Sequence, residues 1–482
     1  MLKRVCLVTA FLIVIASFDA KCAFPQNASY YLPHVVNGTS WLESYRTTFI
    51  LFNNTDSNVT VSLEINSDLT VEGKSIPIIP ELGTDTCFTL SPGATRFLQS
   101  DGAGVPASLA AVVNASAPIG VSAVITSYDP HDGHFVGEES ALVVSNLLQE
   151  LVLPVEETVL LKTAFEVFSP QQGNVTLTLL GTDGHQVSSS DWRLDATGRL
   201  VLWMTDIVPN KDNFRGTLLI QSSVPIAVLG VRCFPPLFGR SETKTGLILA
   251  HVANGAFDAG RFMTSFVIVN RSSSPANLNF ALTNDDGAPL VTTFSEGGTG
   301  SSFNFAVAPG GSTFVRTDGT GPLVSGTAVI SSDVPVGASV IVTVLDVQGK
   351  SLTETGLADS PTLSQFTFPV EVTNSVNAGI AFYNPSTSAA VTVNLRLLDA
   401  DGMVTGIAQR KLPPGSHTAQ FASELFPGIS DLRGSIAVTA SDAIAALVLR
   451  QNTTAGTPIY TTLPVTSGIS QGKAKVPPLL LP

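Results

Sequence analysis

The sequence predicts an all-β protein: a tandem array of four β-sandwich units, in which a two-unit block has been copied to give the order A-B-A-B. Three observations predict it. First, two phrases recur at nearly the same spacing. His34-Val-Val-Asn-Gly38 returns as His251-Val-Ala-Asn-Gly255, and Leu153-Pro-Val-Glu156 returns as Phe368-Pro-Val-Glu371. A spacing shared by two different phrases means that the block holding both was duplicated. Second, hydrophobic residues make up 44% of the chain and charged ones only 13%. The polar remainder is Ser, Thr, Asn and Gly, which suits wet strand faces and tight turns. Third, a five-residue alternation occurs four times: Val59-Thr-Val-Ser-Leu63, Val175-Thr-Leu-Thr-Leu179, Ala276-Asn-Leu-Asn-Phe280 and Val391-Thr-Val-Asn-Leu395. Period two puts the apolar members on one face, as in a half-buried strand.

Residues 1–23 read as an export signal, with Lys3 and Arg4 ahead of an apolar run from Val5 to Phe18. That run is too short to span a bilayer and fits a signal core. An uncleaved signal or a lipid anchor on Cys22 is the alternative to cleavage. The units follow as residues 24–147, 148–246, 247–361 and 362–466, and 467–482 form a tail. Cys87 and Cys233 fall in different units, so no unit carries its own pair and the cores must supply stability. Two separately buried thiols are expected, with a Cys87–Cys233 bridge as the alternative.

Within the units, Asp183-Gly184, Asp286-Gly287 and Asp401-Gly402 follow the alternating strands, where a hairpin needs a positive φ. Pro92-Gly93, Pro309-Gly310 and Pro414-Gly415 mark a second set of turns. The second unit has Asp195-Ala-Thr-Gly198 in that place. Each unit then reaches a phrase such as Ser223-Val-Pro-Ile-Ala227 or Ser332-Asp-Val-Pro-Val-Gly337, followed by an apolar strand. Only Ser145–Leu151 and Ala422–Phe426 invite a short helix. Units of roughly 100 residues with closely spaced strands are what a sandwich predicts.

Together these phrases resemble a repeat of secreted bacterial proteins with no established activity. Pro33-His34, Asn37-Gly38, Thr47-Thr48 and Asn53 carry the resemblance in the first unit. His251, Asn254-Gly255, Thr264-Ser265 and Asn270 carry it in the third. The second and fourth units lack the His and the Asn-Gly. The resemblance implies an extracellular array of immunoglobulin-like sandwiches. In a bacterial chain the sequons at Asn27, Asn37, Asn53, Asn58, Asn114, Asn174, Asn270 and Asn452 carry no meaning.

Four constellations invite chemistry. Asp129, His131, Asp132 and His134, with Glu138 and Glu139 beyond, have ligand types for a transition metal, against the plainer reading of an exposed hairpin tip. Asn284-Asp-Asp286 is the best Ca²⁺ candidate, yet too poor in oxygens for a cation that takes six to eight. Trp41 with Tyr45, and Trp192 with Trp203, are the aromatic pairs on which a sugar could stack. His34 and His251 recur at equivalent places, and capping of the Asn-Gly turn is the expected role. No catalytic motif of the serine-hydrolase, zinc-protease or P-loop kind is present, and no motif requires a cofactor. The net charge of −13 argues against nucleic acid. The expectation is therefore a non-catalytic structural or adhesive rod at the cell surface, facing a glycan or protein, with no membrane span beyond the signal. The alternative is a carbohydrate- or peptide-binding module with its ligand at loops of the first or second unit.

Overall fold

A computed structural model describes residues 24–473 apart from 67–69, 72–73, 76–86, 159–161, 195–197, 208–212, 233–235, 239–242 and 259. The export signal, Cys6, Cys22 and Cys233, most of the Asp195–Gly198 turn and the end of the tail lie outside the described residues. The protein is all-β, with 67% strand and 2% helix. Its larger sheets hold 8, 7, 7 and 8 strands and use strands from 28–141, 148–238, 244–357 and 362–467 respectively.

One pairing scheme runs through all four groups of strands. In the first group, Cys87–Leu90, Val59–Asn66, Ala107–Ala115 and Ala28–Thr39 lie side by side as one layer. Thr95–Gln99, Ser44–Phe52, Gly120–Tyr128 and Phe135–Ala141 form the other. The fourth group repeats this with Val404–Leu412, Val391–Asp399, the first half of Leu432–Asn452 and Thr362–Val372 in one layer. Its other layer holds His417–Phe421, Val376–Tyr383, the second half of the long strand and Ile459–Leu463. Phe214–Arg232 and Val324–Leu345 are the long strands of the second and third groups, passing likewise from one layer to the other. The phrases built on Ser-x-Pro lie inside these long strands rather than between two shorter ones.

The two layers of each group close on one apolar core, as in a β-sandwich. In the second group Leu153, Val175, Leu177 and Leu179 meet Phe165 and Val228. The alternating pentads behave as their period requires, since Val59, Val61 and Leu63 are buried, as are Val391, Val393 and Leu395. Asparagines hold the corners. Asn53, Asn270 and Asn384 each donate through Nδ2 to three backbone carbonyls. A buried amide whose hydrogens are all bonded fixes the strand end it sits on. The sequons at Asn53 and Asn270 therefore have buried side chains.

Two local expectations are corrected and one is kept. Leu148–Glu157 is a strand, so the helix considered over Ser145–Leu151 does not form; Leu151, Leu153 and Val155 alternate into the core instead. Ala422–Leu425 is helical as expected, and Met204–Ile207 makes a further turn of helix. Cys87 is disulfide-bonded rather than a free buried thiol, and its partner lies outside the described residues.

The rod is corrected as well, because the chain closes on itself. The fourth group's core takes in Ile50 and Val124 of the first, and the third group's core takes in Ala381, Tyr383, Ala445 and Leu447 of the fourth. The outermost strands Phe135–Ala141, Pro236–Phe238, Ser351–Leu357 and Ile459–Leu463 touch in sequence, and the last touches the first. One backbone bond recurs at three junctions: Ser312 donates to Thr182 at 3.0 Å, His417 to Asp285 at 3.1 Å and Thr95 to Ala400 at 3.0 Å. At each, the Asp-Gly turn of one group lies against the Pro-Gly turn of the next. Gly402 shows why glycine is needed there. Its φ is +78°, and a Cβ would stand 2.3 Å from the Pro92 carbonyl oxygen.

Candidate functional site

The polar chemistry of the chain gathers at the junctions, and the junctions alternate in kind. Between the second and third groups, Glu156 accepts from Arg215 at 2.8 Å, and the Arg215 guanidinium lies over the Phe314 ring at 5.7 Å. Between the fourth and first groups, Glu371 accepts from Arg433 at 2.9 Å, and Arg433 lies over Phe97 at 5.4 Å. Cation–ring contact adds to the ion pair in both places. Glu156 and Glu371 are the acidic residues of the duplicated Pro-Val-Glu phrase. At the second of these junctions Arg450 joins the cluster, bonding both Glu371 and the buried Glu138.

The other two junctions hold the duplicated histidines. Between the first and second groups, His34 Nδ1 lies 2.9 Å from Glu166 Oε1 and 3.0 Å from Ser108 Oγ. Arg199 donates to Glu166 Oε2 and to Ser108 Oγ, each at 2.8 Å. Burial alone would lower the pKa of His34, but the hydrogen bonds and charges of Glu139 and Glu166 overcome it and push the value up to about 9. Burial likewise works against the Glu166 carboxylate, and His34 and Arg199 together still hold its pKa below the usual value.

Between the third and fourth groups the same place is built differently. His251 Nδ1 lies 3.2 Å from His417 Nε2, with the rings stacked, and His417 Nδ1 lies 2.8 Å from Asp285 Oδ1. Burial and the neighbouring His417 push His251 down to about 3, and burial lowers His417 despite Asp285. A cavity of about 370 Å³ opens beside His251. Its walls include Phe262, Phe421, Leu449 and Tyr460, together with Ser325 and Ala381.

These pKa shifts give the two histidine junctions opposite pH dependence. For His34 the folded value lies above the ordinary 6.5. Its stabilisation is complete below pH 6.5 and lost as pH rises towards 9. For His251 the folded value lies below 6.5, so its contribution is present above pH 6.5 and lost as pH falls towards 3. Melting temperature against pH is expected to fall on both sides. His34→Gln should flatten the alkaline arm and His251→Gln the acid arm; arms that ignore these substitutions would refute the assignment.

The residues singled out from the sequence fall as follows. His34 does not cap the Asn-Gly turn. Asn-Gly lies inside a strand in both places, and its asparagine ties down a neighbouring loop, Asn37 Oδ1 accepting from the Gly102 amide and Asn254 Oδ1 from the Gly319 amide, both at 2.8 Å. Asp129 accepts from the backbone and ring of His131, and Asp132 from the His134 amide, within an exposed turn. No group of three or more His, Cys, Asp or Glu converges as metal ligands among the described residues. Glu138 and Glu139 turn instead to Arg450 and His34. Asn284 bonds its own turn, and Asp285 faces His417 rather than a cation site. Trp41 stands 77% exposed at a hairpin tip beside exposed Leu42, while Tyr45 packs on the core and donates to Glu43. Trp192 packs on the second group's core and Trp203 is 45% exposed on the opposite layer, so these two are not brought together.

Sequence reasoning missed Ser108, Glu166, Arg199, His417 and Arg450. The repeat itself could have shown that each duplicated phrase carries a group able to form an ion pair, His34 and His251 in one and Glu156 and Glu371 in the other.

No family model matches the chain, and no curated protein matches it. Among solved structures it is similar to the crystal structure of a GH78 family rhamnosidase of Bacillus sp. GL1, at 9% identity and a TM-score of 0.13. The match covers 92% of this chain and 55% of that one, so the chain spans about half its length. A likeness that slight carries no argument. Among the described residues no helix is long and apolar enough to cross a membrane, a statement that does not bear on strands.

Proposed function

We propose that the chain is a non-catalytic, secreted structural or adhesive protein of four immunoglobulin-like sandwiches, copied once as a pair and set at the cell surface. One observation carries this reading: the buried charged and histidine clusters, His34 with Glu166 and Arg199, His251 with His417, and Arg450 with Glu138 and Glu371, join neighbouring groups. The alternation of the junctions, with histidine at one kind and Glu-Arg-Phe at the other, supports a copied pair. A closed set of sandwiches is a rigid base for loops, and rigidity suits contact with a fixed partner. The exposed Trp41-Leu42 tip is the contact this base offers, because large exposed apolar groups side by side mark interaction sites.

Small-angle scattering and a glycan array on the secreted chain test it together. A compact particle with a silent array is expected. Array binding lost on Trp41→Ala would turn the reading to a carbohydrate-binding module. An extended, flexible particle would overturn the rigid base altogether.

A further inference from the structure

Strand register makes the two histidine junctions comparable residue by residue. His34 and His251 begin the duplicated phrase. Ser108 pairs with Val36 as Ser325 pairs with Ala253. Glu166 stands opposite Leu229 and Val201, and Ala381 stands opposite Leu447 and Ala419. Arg199 is paired with Phe168 as His417 is paired with Tyr383. So the set His34, Ser108, Glu166, Arg199 becomes His251, Ser325, Ala381, His417. At the first junction a carboxylate supplied by the chain fills the space between histidine and serine. At the other, alanine takes its place, and the cavity lies there, lined by His251, Ser325 and Ala381.

We propose that this cavity binds an apolar monocarboxylate, whose carboxylate takes the position that Glu166 fills at the first junction and whose body lies against Phe262, Phe421, Leu449 and Tyr460. The internal counterpart supplies the recognition chemistry. Glu166 accepts from Ser108 Oγ at 3.0 Å and meets His34 Nδ1 at 2.9 Å; Ser325 and His251 line the cavity at the corresponding places, with His251 Nδ1 shared with His417 Nε2 at 3.2 Å. The cavity volume falls in the range of small-molecule sites, which are mainly apolar with a few placed polar groups. Among the described residues that line the cavity or bond its histidine, the titratable groups besides His251 are His417, Asp285 behind it, Tyr460, and Glu424, whose carboxylate accepts from the Phe421 amide. None of these is a fixed cation, unlike Arg199 at the first junction. The histidine pair must therefore gain a proton as the carboxylate enters, and binding takes up about one proton. This site does not depend on the scaffold reading, since a rigid array with or without adhesive contacts could hold it.

The test uses 3-phenylpropanoate and 3-phenylpropanol as matched probes, titrated calorimetrically into the full chain in two buffers of different ionisation enthalpy. The acid is expected to bind one per chain, at least tenfold tighter than the alcohol, with affinity rising about tenfold per pH unit from pH 8 to 6 as the linked proton demands. Ala381→Glu restores the carboxylate present at the first junction and should abolish acid binding. If that variant fails to fold, Ser325→Ala should weaken the acid at least fivefold and leave the alcohol unchanged. Equal binding of acid and alcohol would overturn the proposal, as would no acid binding at millimolar concentration, binding without proton uptake, or an acid affinity indifferent to these substitutions.

Discussion

Leu177→Asp is expected to unfold the second strand group. Leu177 is fully buried at the centre of its strand, among Val175, Leu179, Leu218 and Ile220. Removing its side chain from the core forfeits about 2–3 kcal/mol of apolar burial. The carboxylate then has no cation within that core, and an unpaired buried charge costs several kcal/mol more. The total is comparable to the whole stability of an ordinary domain, about 5–15 kcal/mol. Trp192 and Trp203 both belong to this group, so intrinsic fluorescence reports its state directly. The expected result is a red-shifted, exposed-tryptophan spectrum at a temperature where the wild type is folded. Thr176→Lys is the matched control. Thr176 lies on the opposite face, bonded to Asp191 at 2.7 Å, and lysine there keeps an anionic partner, so its effect should stay within about 0.5 kcal/mol. A folded Leu177→Asp spectrum, or a Thr176→Lys loss as large as that of Leu177→Asp, would reverse the assignment of the two faces.

What this pair of substitutions tests was legible in the sequence, because a strand's faces are written in its local period. Val175, Leu177 and Leu179 alternate with Thr176 and Thr178, and no distant residue is needed to see it. The hairpin turns were legible for the same reason, since Asp-Gly and Pro-Gly encode their backbone angles on the spot. Gly184, Gly287 and Gly402 all take positive φ. The strand beginning at Lys244 starts slightly ahead of the expected edge at 247.

The junctions were not legible, although half of each was in view. His34 and His251 could be seen to repeat, but Glu166 is more than a hundred residues from His34, and no period links them. Repetition hid the partner further, because Glu166 and Arg199 return as Ala381 and His417. A duplicated residue whose partner has diverged looks like part of its own turn. Glu138 shows the same limit. Beside Asp129 to His134 it reads as another ligand of an exposed cluster, yet strand alternation carries its side chain inward to the fourth group. Closure of the chain on itself rests on such pairs and on one repeated backbone bond, none of which leaves a local mark.

Arg450 ties the fourth group to the first. Its guanidinium is nearly buried, donates to Glu138 of the first group, and donates to Glu371 at 2.9 Å. Glu138 is itself buried and also accepts from Asn452 and Thr461, each at 3.0 Å. Arg450→Ala leaves Glu138 without a cation and Glu371 with only Arg433. Breaking a buried pair from one side costs about 3–5 kcal/mol, because the remaining charge stays out of water. The first and fourth groups should then part, and urea unfolding should show a lower first midpoint and a separate transition where the wild type has one. Replacing both partners, Arg450→Met with Glu138→Leu, removes the stranded charge and keeps the volume apolar. It should recover most of the loss, since such exchanges are often neutral or stabilising. A loss under about 1 kcal/mol for Arg450→Ala would be the value of an exposed pair and would mean that the first and fourth groups do not hold each other. A double variant no better than the single one would locate the stabilisation in the hydrogen bonds of Asn452 and Thr461 rather than in the charge.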